Sequence, residues 1–211
     1  NWINLGAAIK HPDEGKSLDL SNSVEEKTGV KGANVKVYPC SGYGNAQLLR
    51  QLLAQNKVDA IFIFTDPRYW TWLFDIEREI RQKIPLMYLN IWDNYPAPLY
   101  NRDFYDSCDL LMGISKQTVN INNIVLGDKA KTKKIKYVPH GINENEFYKI
   151  STKSDKHSKN IDKYLDFRKT IFDGKDDIEF VVFFNSRNIR RKQAPDLIAA
   201  YRVFCDSIGK E

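Results

Sequence analysis

The chain has 211 residues, of which 42% are hydrophobic and 28% are charged, a composition typical of a globular protein with a buried core. Its three cysteines, Cys40, Cys108 and Cys205, are widely spaced and form no Cys-x-x-Cys pattern, which argues against a disulfide framework or a zinc site and favours a reducing compartment. The formal net charge of +5 is accompanied by no RNP motif, helix-turn-helix or zinc finger, so we expect no nucleic-acid partner. No apolar run reaches the ~18 residues that a membrane-spanning helix needs.

Part of the positive charge is concentrated in one short segment, which contains Lys129, Lys131, Lys133, Lys134 and Lys136. Such runs usually form solvated loops, but they also attach proteins to acidic membrane surfaces. We therefore expect a solvated loop there, with peripheral membrane contact through Lys129–Lys136 as the alternative.

Apolar stretches of strand length alternate with amphipathic stretches of helix length over the first 147 residues. The predicted strands are Trp2–Ile9, Val35–Pro39, Val58–Phe64, Leu86–Trp92, Asp109–Ile114 and Ile135–Val138. The predicted helices are Ala46–Gln55, one through Leu73, Ile76 and Ile80, and one that Ser115 caps. This β-α-β-α order predicts an α/β lobe, residues 1–147, with a Rossmann-like parallel sheet covered by helices on both faces.

The composition changes to lysine, serine and aspartate over residues 148–177, which we interpret as a linker with one helix near Ile161–Phe172. A buried strand is predicted at Glu179–Phe184, followed by a polar turn at Asn185–Gln193. A last helix runs through Leu197, Tyr201, Phe204 and Ile208. Residues 178–211 thus read as the beginning of a second, incomplete Rossmann-like lobe, and we expect that both ends of the sequence were cut from a longer protein.

The sequence FFNSRNIRRKQAPDLIAAY, residues 183–201, combines the end of a predicted strand with a basic turn and a helix start. The turn carries Arg187, Arg190, Arg191 and Lys192, and Pro195 suits the first turn of a helix. Unpaired N–H groups and the positive end of the helix dipole attract anions at such a position, and arginine and lysine strengthen that attraction. The alternative is a solvated basic helix start without a ligand.

This turn resembles the donor-binding turn of family-four retaining glycosyltransferases, in which a strand is followed by Gly-Arg, a few residues, Lys-Gly and a helix. Arg187 matches the family arginine and Lys192 the family lysine. The resemblance implies that these two residues hold the diphosphate of a sugar nucleotide, assisted by Arg191, and offset charge on the leaving group. The chain departs from the pattern at Asn185-Ser186 and at Gln193, where the family often has glycine.

Two further segments resemble the same family. YVPHGINENEF, residues 137–147, is similar to the Pro-Asn-Gly-Val-Asp…Phe segment that closes the first lobe, and it contains His140 and Gly141. The strand end before Pro96 carries Asp93 and Asn94, at a place where the family has a polar pair. The resemblance implies that these four residues line the cleft and contact the acceptor or donor, whereas simple turn formation is the alternative at each position. Aromatic residues are also dense between residues 69 and 105; flat rings suit sugars, although aromatic residues more often belong to the core.

The resemblance implies a two-lobed GT-B fold that transfers a sugar from a nucleotide-sugar donor, with retention and without metal or other cofactor. The acceptor is a glycan, a lipid or a protein. The sequence contains neither Asp-x-Asp nor Gly-x-Ser-x-Gly, which argues against both a metal-dependent transferase and a serine hydrolase. The paired glutamates of the family would lie beyond residue 211. We therefore expect the 211 residues of this chain to be inactive by themselves. The alternatives are a non-catalytic nucleotide- or glycan-binding module, and a GT-B epimerase or phosphorylase.

Overall fold

The computed structural model describes residues 1–7, 10–150, 160–175, 177–178 and 180–209. The chain divides into two compact units, which we call unit 1, Asn1–Phe147, and unit 2, Tyr148–Glu211. Each unit is described by itself.

Unit 1 contains two β-sheets. Its strands are β1 (Trp2–Ala7), β2 (Leu18–Asp19), β3 (Val35–Cys40), β4 (Ile61–Phe64), β5 (Leu86–Asn90), β6 (Leu110–Gly113) and β7 (Lys134–Tyr137). Strands β4, β5, β6 and β7 form an all-parallel sheet in that order, in which Ile63 pairs with Tyr88 and Tyr88 with Leu111. The protein is therefore a mixed α/β protein, and this sheet is consistent with the predicted Rossmann-like lobe.

The second sheet of unit 1 corrects the prediction of a single sheet, because the predicted strands Trp2–Ile9 and Val35–Pro39 both belong to it. Residues 8 and 9 of the first of these strands lie outside the described residues. Strand β1 pairs in parallel with β3, and the two-residue strand β2 pairs with β3 antiparallel. The rings of Trp2 on β1 and Phe62 on β4 face each other edge to face, with centroids 5.6 Å apart. The contact between β1 and β4 is thus made by side chains, and these strands form no backbone pairs. Strand β2 is too short to produce a sequence pattern.

The helices of unit 1 are α1 (Ser21–Thr28), α2 (Ala46–Gln55), α3 (Thr71–Asp75), α4 (Glu77–Ile80), α5 (Arg102–Ser107) and α6 (Lys116–Leu126). The bounds of α2 and the cap of α6 are as predicted: the Asn45 side chain accepts from the Leu48 N–H, and the Ser115 side chain accepts from the Thr118 N–H. The single helix predicted through Leu73 and Ile80 is wrong. It is broken at Ile76, whose ψ of 11° lies outside the helical range, into α3 and α4.

The core of unit 1 lies between the parallel sheet and its helices. Leu86, Leu111, Ile121 and Val125 are completely buried. At the end of β6, Gly113 permits the close approach of α6, because a Cβ atom there would lie 2.9 Å from the backbone nitrogen of Val119. The parallel sheet and α6 therefore form one tightly packed body, which positions the loops that follow each strand.

Unit 2 contains helices α7 (Ile161–Ile171) and α8 (Ala194–Ser207). The predicted buried strand Glu179–Phe184 is wrong over residues 180–184, which form no strand, and Glu179 lies outside the described residues. Phe180 is 69% exposed and Phe183 is 82% exposed. A strand needs a neighbouring strand for its backbone hydrogen bonds, and the described residues of unit 2 include none, so apolar sequence alone does not produce it.

No helix in the described ranges has the length and apolar character required to cross a membrane.

Candidate functional site

The four parallel strands all end at the same edge of their sheet, where ligands bind in open α/β folds. The segments that follow β4, β5 and β7 lie there, and we call this surface, residues 65–70, 91–100 and 138–141, the carboxyl edge. It contains all of the predicted site residues of unit 1: Asp93, Asn94, His140 and Gly141.

Asp93 and Asn94 are exposed side chains on a loop whose backbone is held in place. The Thr118 hydroxyl donates to the carbonyl of Trp92 at 2.9 Å, and the Trp92 indole N–H donates to the carbonyl of Asn94 at 2.8 Å. The amide of Gln117 donates to the carbonyl of Asp93 at 3.2 Å. The loop thus presents a carboxylate and an amide to solvent from a defined backbone.

A buried polar network lies directly beneath this loop. The Asn90 side chain donates to the Tyr105 hydroxyl at 2.9 Å and to Oδ1 of Asn122 at 2.6 Å. Its own Oδ1 accepts from the Tyr88 hydroxyl at 3.3 Å and from the Trp92 N–H at 3.0 Å. Burial raises the pKa of Tyr105 to about 12, so its hydroxyl stays protonated at neutral pH. Asn90 therefore connects the core to the start of the loop.

The segment after β7 crosses the carboxyl edge toward β4. The Val138 N–H donates to the carbonyl of Gly113 at 2.9 Å, and the rings of His140 and Phe64 lie edge to face with centroids 6.2 Å apart. Gly141 is exposed, and a Cβ atom added there would meet nothing within 4 Å. Among the described contacts none joins His140 to Asp93, so the structure places these residues on one edge without bringing them together.

Sequence reasoning missed an ion pair on the carboxyl edge. Arg68 donates through Nε to Oδ1 of Asp66 at 2.9 Å, and its guanidinium lies over the ring of Tyr100, 5.3 Å from the centroid. The hydrogen bond from Arg68 lowers the pKa of Asp66, which keeps the carboxylate charged. The signal that could have indicated this site is Asp66-Pro67 directly after a buried strand, where an aspartate caps the following turn.

In unit 2, the predicted anion-binding residues lie on an exposed turn. Arg190–Lys192 form a single 3-10 turn, and Arg187, Arg191 and Lys192 are exposed. Helix α8 begins at Ala194 as predicted, and no side-chain hydrogen bond caps it. Because Pro195 has no N–H and the Leu197 N–H donates to the carbonyl of Gln193, the N–H groups left for a ligand are those of Ala194 and Asp196. The Asp196 carboxylate in the same turn reduces the positive potential there.

Gln193, the residue between the basic turn and α8, has a left-handed backbone with φ 50° and ψ 41°. The backbone rarely adopts this conformation at residues other than glycine, asparagine and aspartate. The chain therefore makes a glycine-type turn at this point without a glycine.

The lysine-rich segment of unit 1 is engaged in ion pairs. Lys129 and Lys133 both contact the carboxylate of Asp106, and Lys131 pairs with Asp128 at 2.9 Å. Lys134 and Lys136 lie on β7 with exposed side chains, and β7 is an edge strand of its sheet. Exposed lysines on an edge strand discourage pairing with other strands, which accounts for them without a ligand.

Within the described residues, no group of three or more histidine, cysteine, aspartate or glutamate side chains is arranged to hold a metal ion. Comparisons of the chain with protein-family models, with curated proteins and with solved structures gave no match.

Proposed function

We propose that this chain is part of a retaining, metal-independent glycosyltransferase of the GT-B type. The basic turn of unit 2 binds the diphosphate of a nucleotide-sugar donor, and the carboxyl edge of unit 1 binds the acceptor. Arg187 and Lys192 are the residues proposed to contact the donor diphosphate, with Arg191 beside them.

The observation that supports the proposal most is the backbone of Gln193. The family pattern has glycine directly after the lysine that matches Lys192, and Gln193 adopts φ 50°, a conformation that favours glycine. The backbone at Gln193 thus suits glycine, the residue that the family pattern has at this position, although the residue here is glutamine. That geometry ends the basic turn at the uncapped start of α8, where the backbone N–H groups of a helix favour a phosphate oxygen.

The chemistry of transfer explains why two cations suit this position. As the bond between sugar and diphosphate breaks, negative charge grows on the departing phosphate oxygens. Arg187 donates a planar fork of N–H groups and Lys192 a compact positive charge, and both lower the energy of that developing charge. For the acceptor, Asp93 and Asn94 supply groups that hydrogen-bond to its hydroxyls, and His140 lies on the same carboxyl edge.

The proposal is tested by calorimetric titration of the chain with UDP, GDP and ADP, and with the matching nucleosides. We expect at least one diphosphate to bind and its nucleoside to bind far more weakly. The double change Arg187→Ala, Lys192→Ala should lower the affinity for that diphosphate by about tenfold or more, since hydrogen bonds to charged groups contribute about 1.5–3 kcal/mol each.

The matched control is Lys163→Ala with Lys169→Ala, which removes two charges from exposed positions of α7 in the same unit. This variant should bind the diphosphate as the unaltered chain does. Equal weakening in both variants would mean that net charge alone attracts the nucleotide, and the assigned site would be wrong. Binding of no diphosphate at all would also refute the proposal.

Catalysis needs a separate measurement. The nucleotide-sugar of the diphosphate that binds is incubated with the complete protein and an acceptor panel, and free nucleotide diphosphate and glycosylated product are followed. Equal amounts of both products support transfer. Tight binding without any turnover would favour a non-catalytic nucleotide-binding module, and release of nucleotide without a glycosylated product would favour an epimerase.

A further inference from the structure

Two exposed tyrosine rings flank an ion pair on the carboxyl edge of unit 1. Tyr69 is 52% exposed and belongs to the 3-10 turn Pro67–Trp70, and Tyr100 is 61% exposed in the 3-10 turn Leu99–Asn101. Arg68 lies against Tyr100 at 5.3 Å and bonds to Asp66. We call Asp66, Arg68, Tyr69 and Tyr100 the tyrosine platform.

Each ring of the tyrosine platform contacts another aromatic ring. Tyr43 stacks on Tyr69 with centroids 4.5 Å apart and an angle of 9° between the planes. The rings of Trp92 and Tyr100 lie edge to face, with centroids 6.2 Å apart. A ligand that covers these rings therefore meets surfaces whose orientation is already restricted, so that less side-chain freedom is lost on binding.

The polar members of the tyrosine platform indicate the kind of ligand. The described hydrogen bonds of the Arg68 side chain use Nε and Nη2, both directed to Asp66. The two opposite charges compensate each other, so the platform has no excess charge to select an anion or a cation. A guanidinium and a carboxylate side by side offer many donors and acceptors, which suits a ring with several hydroxyl groups.

The chain that carries the platform is strained where it leaves β4. Thr65 has φ 80°, and a β-branched residue in this region is a genuine outlier. Such conformations are costly and cluster at binding and active sites. The strained residue directly precedes Asp66, so it sets the direction in which the ion pair and Tyr69 leave the sheet.

From these observations we infer that the tyrosine platform binds a neutral sugar ring of a glycan. An apolar face of the sugar stacks on the face of Tyr69 that Tyr43 leaves free, and the exposed part of Tyr100 contacts the sugar beside Arg68. The sugar hydroxyls bond to Arg68 and Asp66. The glycan-binding surface is argued from unit 1 alone, and only its role as the acceptor site rests on the proposed function. It selects a glycan among the three acceptor classes that the sequence left open.

The inference is tested by saturation-transfer NMR with maltotriose, lactose, chitotriose and mannobiose as neutral probes and trigalacturonate as an acidic one. We expect at least one neutral probe to bind, with saturation strongest on ring C–H protons. Tyr69→Ala and Tyr100→Ala should each lower the affinity for that probe by about tenfold, which equals about 1.4 kcal/mol of binding free energy.

The matched control is Tyr164→Ala, because Tyr164 is 41% exposed but belongs to α7 of unit 2. It should leave glycan binding unchanged, and the Arg187→Ala, Lys192→Ala variant should do so as well. If the unaltered chain binds a glycan but no nucleotide diphosphate, only the proposed function is refuted. Binding of no neutral probe, preference for trigalacturonate, or equal binding by the Tyr69→Ala and Tyr100→Ala variants would overturn the inference; in the first case a protein-binding surface becomes the better interpretation.

Discussion

Nδ2 of Asn90 donates a hydrogen bond to Oδ1 of Asn122 at 2.6 Å, and both residues are almost completely buried. The bond joins the end of β5 to the middle of α6, beneath the loop that carries Asp93 and Asn94. In a low-dielectric interior a polar group without a partner is costly, so this pair is important for both the stability and the shape of the carboxyl edge.

Asn90→Leu should therefore lower the free energy of unfolding of unit 1 by about 3 kcal/mol, because the change leaves Tyr105, Asn122 and the Trp92 N–H without their partner. Unfolding in urea is followed by tryptophan fluorescence, which reports unit 1 alone, since the four tryptophans all lie in it. Asn123→Leu, at an exposed position of α6, should change the stability far less. Equal effects of the two changes would show that the network is not important for stability.

Thr65→Gly should raise the free energy of unfolding of unit 1 by about 1 kcal/mol, because glycine adopts φ 80° without a steric penalty. The same replacement at Thr71, whose φ is −50°, should lower it, since glycine disfavours a helix. Urea unfolding followed by fluorescence measures both. A loss of stability in the Thr65→Gly protein would mean that the threonine side chain contributes more than its backbone strain costs.

Gln193→Gly should raise the stability of α8 by up to about 1 kcal/mol, for the reason given for Thr65, and should preserve binding of a nucleotide diphosphate. Gln193→Val should reduce both, because a β-branched side chain is disfavoured at φ 50°. Gln51→Gly, in the middle of α2, serves as the opposite control and should cost about 1 kcal/mol. Circular dichroism follows helix loss on heating, and a Gln193→Val protein that binds normally would contradict the role assigned to this turn.

The ion pair of the tyrosine platform should be sensitive to acid. The pKa of Asp66 is lowered by its hydrogen bond from Arg68, so the unfolded chain takes up the proton more readily than the folded one. The stability from the pair is then fully present above the ordinary aspartate pKa of 3.8 and is lost as pH falls through the lower, folded value. Carboxyl ¹³C NMR measures that midpoint, which should move upward in Arg68→Ala; an unchanged midpoint would show that Arg68 is not the cause.

Local sequence determined those elements whose signals lie within a few residues. The apolar positions of α2 recur at helical spacing, and Asn45 and Ser115 cap their helices through bonds to residues three positions later. The parallel sheet was predictable for a similar reason, because buried apolar runs alternate with these helices. The basic turn before α8 and the exposure of Asp93 and Asn94 also follow from local composition.

Tertiary structure decided the features that depend on residues far apart in the chain. Local sequence does not reveal that β1 pairs with β3 and not with β4. Residues 180–184 form no strand because a strand requires a partner that its own sequence cannot supply. Likewise, Arg68 and Tyr100 are 32 positions apart (100 minus 68) and meet only because β4 and β5 end at the same edge of one sheet. Periodicity describes which face of an element is apolar, whereas the contacts that build a site are made between elements, and folding alone brings those together.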